Sequence, residues 1–519
     1  MMGMAEAIEE LRARRARALA MGGENKVRRQ LDRGKGTARE RIAMLLDPGS
    51  FLEYGQLASH ASPIGYAQTV DEVTPADGVI IGTGTIDGRP VCVAAEDFTV
   101  HGGTYGLHHG RKKHRIADIA LRERMPIVWL QDGAGARAQE MIGEGLPEAS
   151  HLITLARLSG IAPQVAIVMG PSAGDSALLS SLAEFIIMVE GTAMLAAAGP
   201  PVVKSATGQS VSPEELGGAG VHCRISGVAD NAAPTEEAAI AMAQRFLSYF
   251  PRNAYEYPER LACDDPADRM DERLVSLIPE NPRLPYDVKD LIHSIVDRDS
   301  FFEIKPDHAR MIVTGLARLG GHSVGIIANQ PMVSAGAITA QAANKARHFV
   351  DLCSAYHIPI IFLQDVPGVM PGPKAEQEGT LRAGLALSYA IAWSTVPRIT
   401  VVIRKAFGFG AVAMGGAEAQ QAMILAWPTA DFGSLPPGGS VLAAHSKEIE
   451  AAEDPQALIR DLTANYARCA GPFHAASKLN IDDVIDPRET RPRLIRVLDQ
   501  TLARRTAPAQ PAMRHGVMP

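Results

Sequence analysis

Short apolar runs alternate with longer stretches of helical spacing along this chain. Four of the runs open on a proline: "PIVWLQD" (126–132), "PQVAIVMG" (163–170), "PIIFLQD" (359–365) and "PRITVVI" (397–403). Each has strand length, is apolar almost throughout and leads into a glycine-rich turn, which predicts strands covered on both faces. Between them lie segments such as 110–125, where Ile116, Ile119 and Leu121 recur near helical spacing, and 342–357, where Ala346, Phe349, Val350 and Cys353 share one side. "IIGTGTIDGRPVCVAAEDF" (80–98) reads as two strands joined by an Asp87–Gly88 turn. "MIVTGLARLGGHSVGIIANQP" (311–331) reads as strand, turn and strand again. Strands alternating with helices predict an α/β fold made of βαβ-like units.

The same order is written twice. Pro126 and Gly135 recur as Pro359 and Gly368, 233 residues on, and Pro163 and Gly174 recur as Pro397 and Gly408, 234 residues on. Short apolar runs match by chance; proline and glycine landmarks holding one register over so long a span do not. The chain reads as an internal duplication. Its 519 residues also exceed what one hydrophobic core covers. The break is expected in the polar, proline-rich stretch 251–272, giving domains 1–262 and 263–519.

Composition narrows the partners. A net charge of −7 with no basic stripe argues against nucleic acid. Cys92, Cys223, Cys263, Cys353 and Cys469 are scattered without a CxxC pair, which argues against a disulfide framework or a thiolate metal site and fits a reducing cytoplasm. Glycine, proline or charge interrupts every apolar run before it reaches membrane-spanning length. The opening residues mix Glu9 and Glu10 with Arg12, Arg14, Arg15 and Arg17, which fits an exposed helix and neither a signal peptide nor a transit peptide.

Each half places glycine turns after two successive strands: 133–135 and 170–174 in the first, 368–372 and 408–416 in the second. A strand that turns on glycine into a helix aims free main-chain N–H groups outward, where they bind phosphate or stabilise an oxyanion. For one such turn a plain tight connection is the better account; four at equivalent places favour function. None fits a Walker lysine pattern or GxGxxG, which disfavours a nucleotide cofactor. "GPSAG" (170–174) matches the nucleophile elbow, so an esterase using Ser172 is the minority alternative. The duplicate of Ser172 is Ala406, while its glycine persists as Gly408, and this favours the backbone. His101, His108 and His109 lack a carboxylate at defined spacing and read as surface or core histidines. "GRKKHR" (110–115) fits either phosphate contacts or a solvated helix face.

Together, "GKGTARERIAMLLDPGSFLE" (34–53), "DFTVHGGTYG" (97–106), "QDGAGARAQE" (131–140), "GPPVVKSATGQSVSPEELGGAGVHCRISGVAD" (199–230), "FLQDVPGVMPG" (362–372), "RKAFGFG" (404–410) and "IDDVIDPRETR" (481–491) resemble the carboxyltransferase (beta) subunits of biotin-dependent acyl-CoA carboxylases, of the propionyl-CoA and 3-methylcrotonyl-CoA type. The resemblance covers nearly the whole chain. It implies two tandem crotonase (ClpP/crotonase)-like domains, the N-terminal one binding acyl-CoA and the C-terminal one carboxybiotin. Their sites would meet between neighbouring subunits of a hexamer, a trimer of dimers. The thioester oxygen would meet the amides of Gly174 and Asp175, and the biotin ureido oxygen those of Phe409 and Gly410. The two ligands would further meet Gly133, Ala134, Gly135, Ala136, Arg111, Lys112 and Lys113, and Gly368, Ala411 and Val412. No metal is implied. No Met-Lys-Met biotinylation site or ATP-binding segment stands out, so a separate biotin carboxylase and biotin carrier (alpha) subunit is the expected partner. A sodium-pumping acyl-CoA decarboxylase subunit, with the same fold and the reverse transfer, is the alternative. The chain departs from the pattern in three places: Asp175 stands where the family has a second glycine, Val412 where the propionyl branch has an acyl-selecting aspartate, and "SLPPGG" (434–439) where a Met-Gly stretch is usual.

Overall fold

A computed structural model of the chain describes residues 3–60, 75–137, 140, 150–281, 284–415, 421–512 and 516–519. Two compact units result, one of Met1–Glu256 with Met513–Pro519, the other of Tyr257–Ala512. The change of unit falls inside the proline-rich stretch, and the second unit stops at Ala512 rather than 519. Val517 instead returns to the first unit, where its N–H donates 3.0 Å to Ser159 Oγ.

In the first unit the strands are β1 (Leu52–Tyr54), β2 (Val79–Ile86), β3 (Arg89–Glu96), β4 (Ile127–Gly133), β5 (Gln164–Ala173), β6 (Phe185–Val189), β7 (Met194–Ala196) and β8 (Asn231–Ala233). They lie in the order β1-β2-β3-β4-β5-β6-β8, with β7 pairing β5. The second unit repeats this with β9 (Phe302–Ile304), β10 (Ile312–Leu319), β11 (His322–Asn329), β12 (Ile360–Val366), β13 (Arg398–Phe407), β14 (Met423–Ala426), β15 (Asp431–Gly433) and β16 (Asp483–Val484). Its order is β9-β10-β11-β12-β13-β14-β16, with β15 pairing β13. In both sheets the first three strands are antiparallel and the rest parallel. The duplication extends to irregularities. Register slips between Gln131 and Gly133 against β5, and at the matching place between Gln364 and Val366 against β13. Isolated bridges join Tyr105 to Ala136 and Ile338 to Val369.

The covering helices explain the apolar runs. β4 and β12 are buried along their whole length, as parallel strands under helices must be. The helix Leu107–Glu123 lays Ile116, Ala117, Ile119 and Ala120 on the first sheet and ends at Arg124, which takes the left-handed conformation with φ 55°. Its counterpart Ala340–Ala355 starts at Thr339, whose hydroxyl accepts the Ala342 N–H. Trp129 and Trp427 sit in the two separate cores; truncating a buried tryptophan to alanine costs about 3–5 kcal/mol. After β7 and β15 the chain meets "GPP" and "LPP", and helices Pro200–Thr207 and Pro437–Ala444 begin there with proline in the first turn. The segment "SLPPGG" (434–439) is thus the second unit's version of a helix start present in the first.

Candidate active site

Two strand–turn–helix corners, one per unit, carry the candidate residues. β5 ends at Ala173, Gly174 turns with φ 60° and ψ −120°, and the helix Asp175–Ser180 follows. β13 ends at Phe407, and Gly408 turns with φ 56° before Phe409 and Gly410. Only glycine takes up such a conformation at Gly174 without strain. Equivalence through the strands pairs Gly174 with Gly408, Asp175 with Phe409 and Ser176 with Gly410. The Leu178 N–H closes the first helical turn onto the Gly174 carbonyl. Among the described residues the amides of Asp175 and Ser176 have no main-chain or side-chain acceptor, nor do those of Phe409 and Gly410. The Gly174 amide is engaged, donating over a long 3.3 Å to the Ala196 carbonyl. Asp175 therefore offers the freer donor of the expected pair.

Each corner abuts the turn that follows the neighbouring strand. A Cβ on Gly135 would lie 3.8 Å from Ala173. A Cβ on Gly410 would lie 2.7 Å from the Gly368 Cα, so this approach is possible only between two glycines. Gln364 Nε2 donates 2.9 Å to the Ala411 carbonyl and ties the second corner to β12. The Ala134 amide donates to the Gly102 carbonyl, so it serves the turn itself. Ala134 and Ala136 are exposed and Gly133 is buried. The structure thus gathers Gly133, Ala134, Gly135, Ala136, Gly174 and Asp175 in one unit, and Gly368, Phe409, Gly410, Ala411 and Val412 in the other. Ala138, Gln139 and Gly416 lie outside the described residues.

The basic cluster is not one solvent-facing or phosphate-facing patch, but splits between solvent and interior. Helical periodicity turns Arg111 to solvent but sends Lys112 and Lys113 under the sheet. Lys112 Nζ donates 2.7 Å to the Ala76 carbonyl and also to that of Val79, and burial pulls its pKa down to about 8. Its duplicate Lys345 donates to the carbonyls of Lys305, His308 and Ile312. Both lysines are internal braces rather than phosphate ligands. Lys113 Nζ lies 2.7 Å from Glu96 Oε1 and 3.0 Å from Asp175 Oδ2. Burial alone would disfavour its charge, but Glu96 and Asp175 lift its pKa well above the usual lysine range.

Asp175 is likewise turned inward. His151 Nε2, on the helix Ser150–Leu158, lies 2.7 Å from Asp175 Oδ1. Burial would raise the carboxyl pKa, yet Lys113 and His151 hold it well below the ordinary carboxylate range. The Ser176 hydroxyl donates to Glu96 Oε1. Glu96, Lys113, Asp175 and His151 thus form one buried cluster beneath the first corner. Neither Glu96 nor His151 belongs to a motif that announces chemistry. A line-by-line match of the halves would have found the cluster, because the second unit has Asn329, Ala346 and Phe409 opposite Glu96, Lys113 and Asp175.

Ser172 is excluded as a nucleophile. It lies inside β5, paired with Gly133 and Leu195, and is fully buried. His109 is buried with Nδ1 3.1 Å from the Asp77 carbonyl, and its pKa is held well below normal chiefly by burial. It is a core histidine.

The carboxyl transferase domain family model matches residues 29–518. The chain belongs to this carboxyl transferase family. It is 41% identical over all of both chains to the propionyl-CoA carboxylase carboxyltransferase subunit of Haloferax mediterranei. It is also 39% identical, over 99% of both chains, to methylmalonyl-CoA decarboxylase subunit alpha of Veillonella parvula. A crystal structure of transcarboxylase 12S, a hexamer with methylmalonyl-coenzyme A and methylmalonic acid bound, superposes with a TM-score of 0.91 at 37% identity, covering 100% of this chain and 99% of that one. This carboxyltransferase is of the biotin-dependent class, and its two sheets are the tandem crotonase-like domains of that class.

Proposed function

We propose that this carboxyltransferase moves a carboxyl group between carboxybiotin, carried on a separate alpha subunit, and the α-carbon of a short acyl-CoA, propionyl-CoA being the first candidate. The observation that carries the reading is the pair of equivalent corners, each with unshared first-turn amides. Carboxybiotin would supply the carboxyl group and, once discharged, the base for the α-proton. The chain's task is then to hold two oxygens as negative charge gathers on them. The amide of Asp175, with Gly174 beside it, would hold the thioester oxygen, and the amides of Phe409 and Gly410 the ureido oxygen. Oriented donors of this kind are worth about 2.7–4 kcal/mol each when charge develops on the acceptor. Gly135 and Ala136 in the first unit, and Gly368, Ala411 and Val412 in the second, form the adjoining walls. Arg111 is left to meet the phosphates of coenzyme A. The close approach of Gly410 to Gly368 fits a flat ring system laid against bare backbone.

Assembly with further copies is supported by the helix Thr380–Trp393. Leu381, Leu385, Tyr389 and Trp393 form one stripe on it, each more than half exposed. A hexamer in which the first unit of one copy works with the second unit of another is the proposed arrangement. All five cysteines are free thiols, and among the described residues no helix is long and apolar enough to cross a membrane; a cytoplasmic location is proposed on the thiols. A decarboxylase direction stands second because relatives of both names match at nearly equal identity. The test supplies a carboxylated biotin carrier with acetyl-, propionyl- and methylcrotonyl-CoA, and separately methylmalonyl-CoA with free carrier. Transfer to propionyl-CoA is expected. Absence of transfer in either direction with every thioester would sink the reading.

A further inference from the structure

We propose that Lys113 is a positioning residue that, braced by Glu96, pins the Asp175 carboxylate and offsets part of its charge so that residue 175 can serve through its main-chain amide. This rests on the oxyanion role given to that amide above. The geometry is that of a clamp. Lys113 Nζ bridges Glu96 Oε1 at 2.7 Å and Asp175 Oδ2 at 3.0 Å, and all three sit in a site closed to water apart from one edge of Asp175. His151 closes on the second carboxylate oxygen from another helix. Ser176, next along the turn, donates to the same Glu96 oxygen that holds Lys113. Both residues after Gly174 are therefore tied by their side chains to β3 and to the helix Leu107–Glu123.

The duplicate corner shows that the backbone turn does not need any of this. There Phe409 replaces Asp175, Ala346 replaces Lys113, Asn329 replaces Glu96 and Gly410 replaces Ser176. Gly384 packs on the Phe409 ring with a notional Cβ contact of 3.0 Å, on the helix matching the one that bears His151. The charged residues occur as a set in one unit and are absent as a set from the other. Their function is then mutual. An unpinned carboxylate at 175 would share a residue with the donor that receives a forming enolate, and would oppose it. Lys113 lessens that opposition and fixes where the side chain points.

The experiment compares Lys113→Met, Asp175→Gly and the double variant in the full chain with its biotinylated donor. Lys113→Met is expected to lower kcat about 10–100-fold with KM for the acyl-CoA nearly unchanged, as for an interaction made only at the transition state. The loss should ease as pH falls, because the freed Asp175 then takes a proton; the wild type, whose Asp175 is held low, should show no such easing. Asp175→Gly sets the reference, since it keeps the main-chain N–H and removes the carboxylate, and Lys113→Met/Asp175→Gly should lie within about threefold of that reference, as coupled neighbours do. A double variant as poor as Lys113→Met, or a Lys113→Met kcat equal to wild type, overturns the proposal. Should Lys113→Met fail to fold, Glu96→Gln loosens the brace in its place, with the same rescue by Asp175→Gly expected and its absence decisive. If the wild type transfers no carboxyl group, the functional reading fails separately. The clamp is then judged by thermal midpoints, where additive effects of the two substitutions reject it and non-additive ones retain it.

Discussion

Laid on each other, the two units share a backbone and disagree about charge. Both have the same strand order, the same register slip after the second parallel strand, and the same buried lysine feeding carbonyls. Even a strained turn is copied, with φ 49° at His101 and 48° at Ser334. Under the first corner, however, lie Glu96, Lys113, Asp175 and His151, and under the second lie Asn329, Ala346, Phe409 and Gly384. The backbone geometry that aims amides outward is thus independent of what fills the space below. Charges enter that space only in compensating groups, because one unpaired buried ion costs several kcal/mol.

The sharpest test of this comparison concerns the duplicated aspartates. Asp132 receives Lys35 at 2.7 Å and Arg41 at 2.9 Å, and Arg41 also meets Glu236 at 2.5 Å. Among the described residues Asp365 has one ion-pair partner, Arg404 at 3.1 Å, besides the Lys405 N–H at 3.2 Å, and that arginine keeps the Leu284 carbonyl as a second acceptor. Asp132→Ala is expected to destabilise by about 3–5 kcal/mol, because buried Lys35 loses its carboxylate and Arg41 one of its two, and Asp365→Ala by clearly less. Denaturant unfolding followed at Trp129 and Trp427 measures each unit; equal losses would break the comparison.

Next in size is a pair of glycines. Gly410→Ala drives a methyl group into Gly368, and carboxyl transfer should fall about a hundredfold, the scale of losing one oriented donor. Gly174→Ala meets open space and suffers only conformational strain, of about 1–3 kcal/mol. Its activity loss should be the smaller of the two in the same transfer assay.

A transplant sharpens the contrast further. Phe409→Asp alone places a carboxylate where Ala346 stands in the position of Lys113, and should cut activity at least about tenfold. Adding Ala346→Lys should restore part of it by ion pairing, as read from kcat. No recovery would mean that the clamp needs more of the first unit than its charges.

The smallest expected effect is a pH slope. Lys112 has its pKa pulled to about 8 in the fold, against 10.5 when free. Between those values the unfolded chain binds more protons, so this residue makes stability rise with pH from about 8 to 10.5. The thermal midpoint of wild type minus that of Lys112→Met should climb across that window. A flat or falling difference would count against the buried, charged state below pH 8.

Much of this molecule can be read from its letters. Proline starts, apolar runs and glycine turns are local signals, so the strands, the helices between them and the repeat followed from spacing alone. The corner at Gly174 is visible because only glycine takes up its turn, and the corner at Gly408 because the glycine recurs in the register of the repeat. The basic cluster misled, since a run of four cations looks the same whether it faces water or the sheet. Residue-by-residue rotation on the helix sent Arg111 outward and Lys113 inward, and a pattern of charge carries no record of its counter-ions.

Sequence by itself therefore determined the repeated α/β plan, the two glycine corners and the family. It did so because backbone conformation and burial periodicity are properties of neighbours in the chain. Only the tertiary structure decided that Asp175 is pinned rather than free, that Lys112 and Lys345 brace carbonyls, and that Val517 closes back on Ser159. Those outcomes depend on partners from 33 to 358 residues away. Coulombic and hydrogen-bond contacts of such range come into being only when the chain is packed.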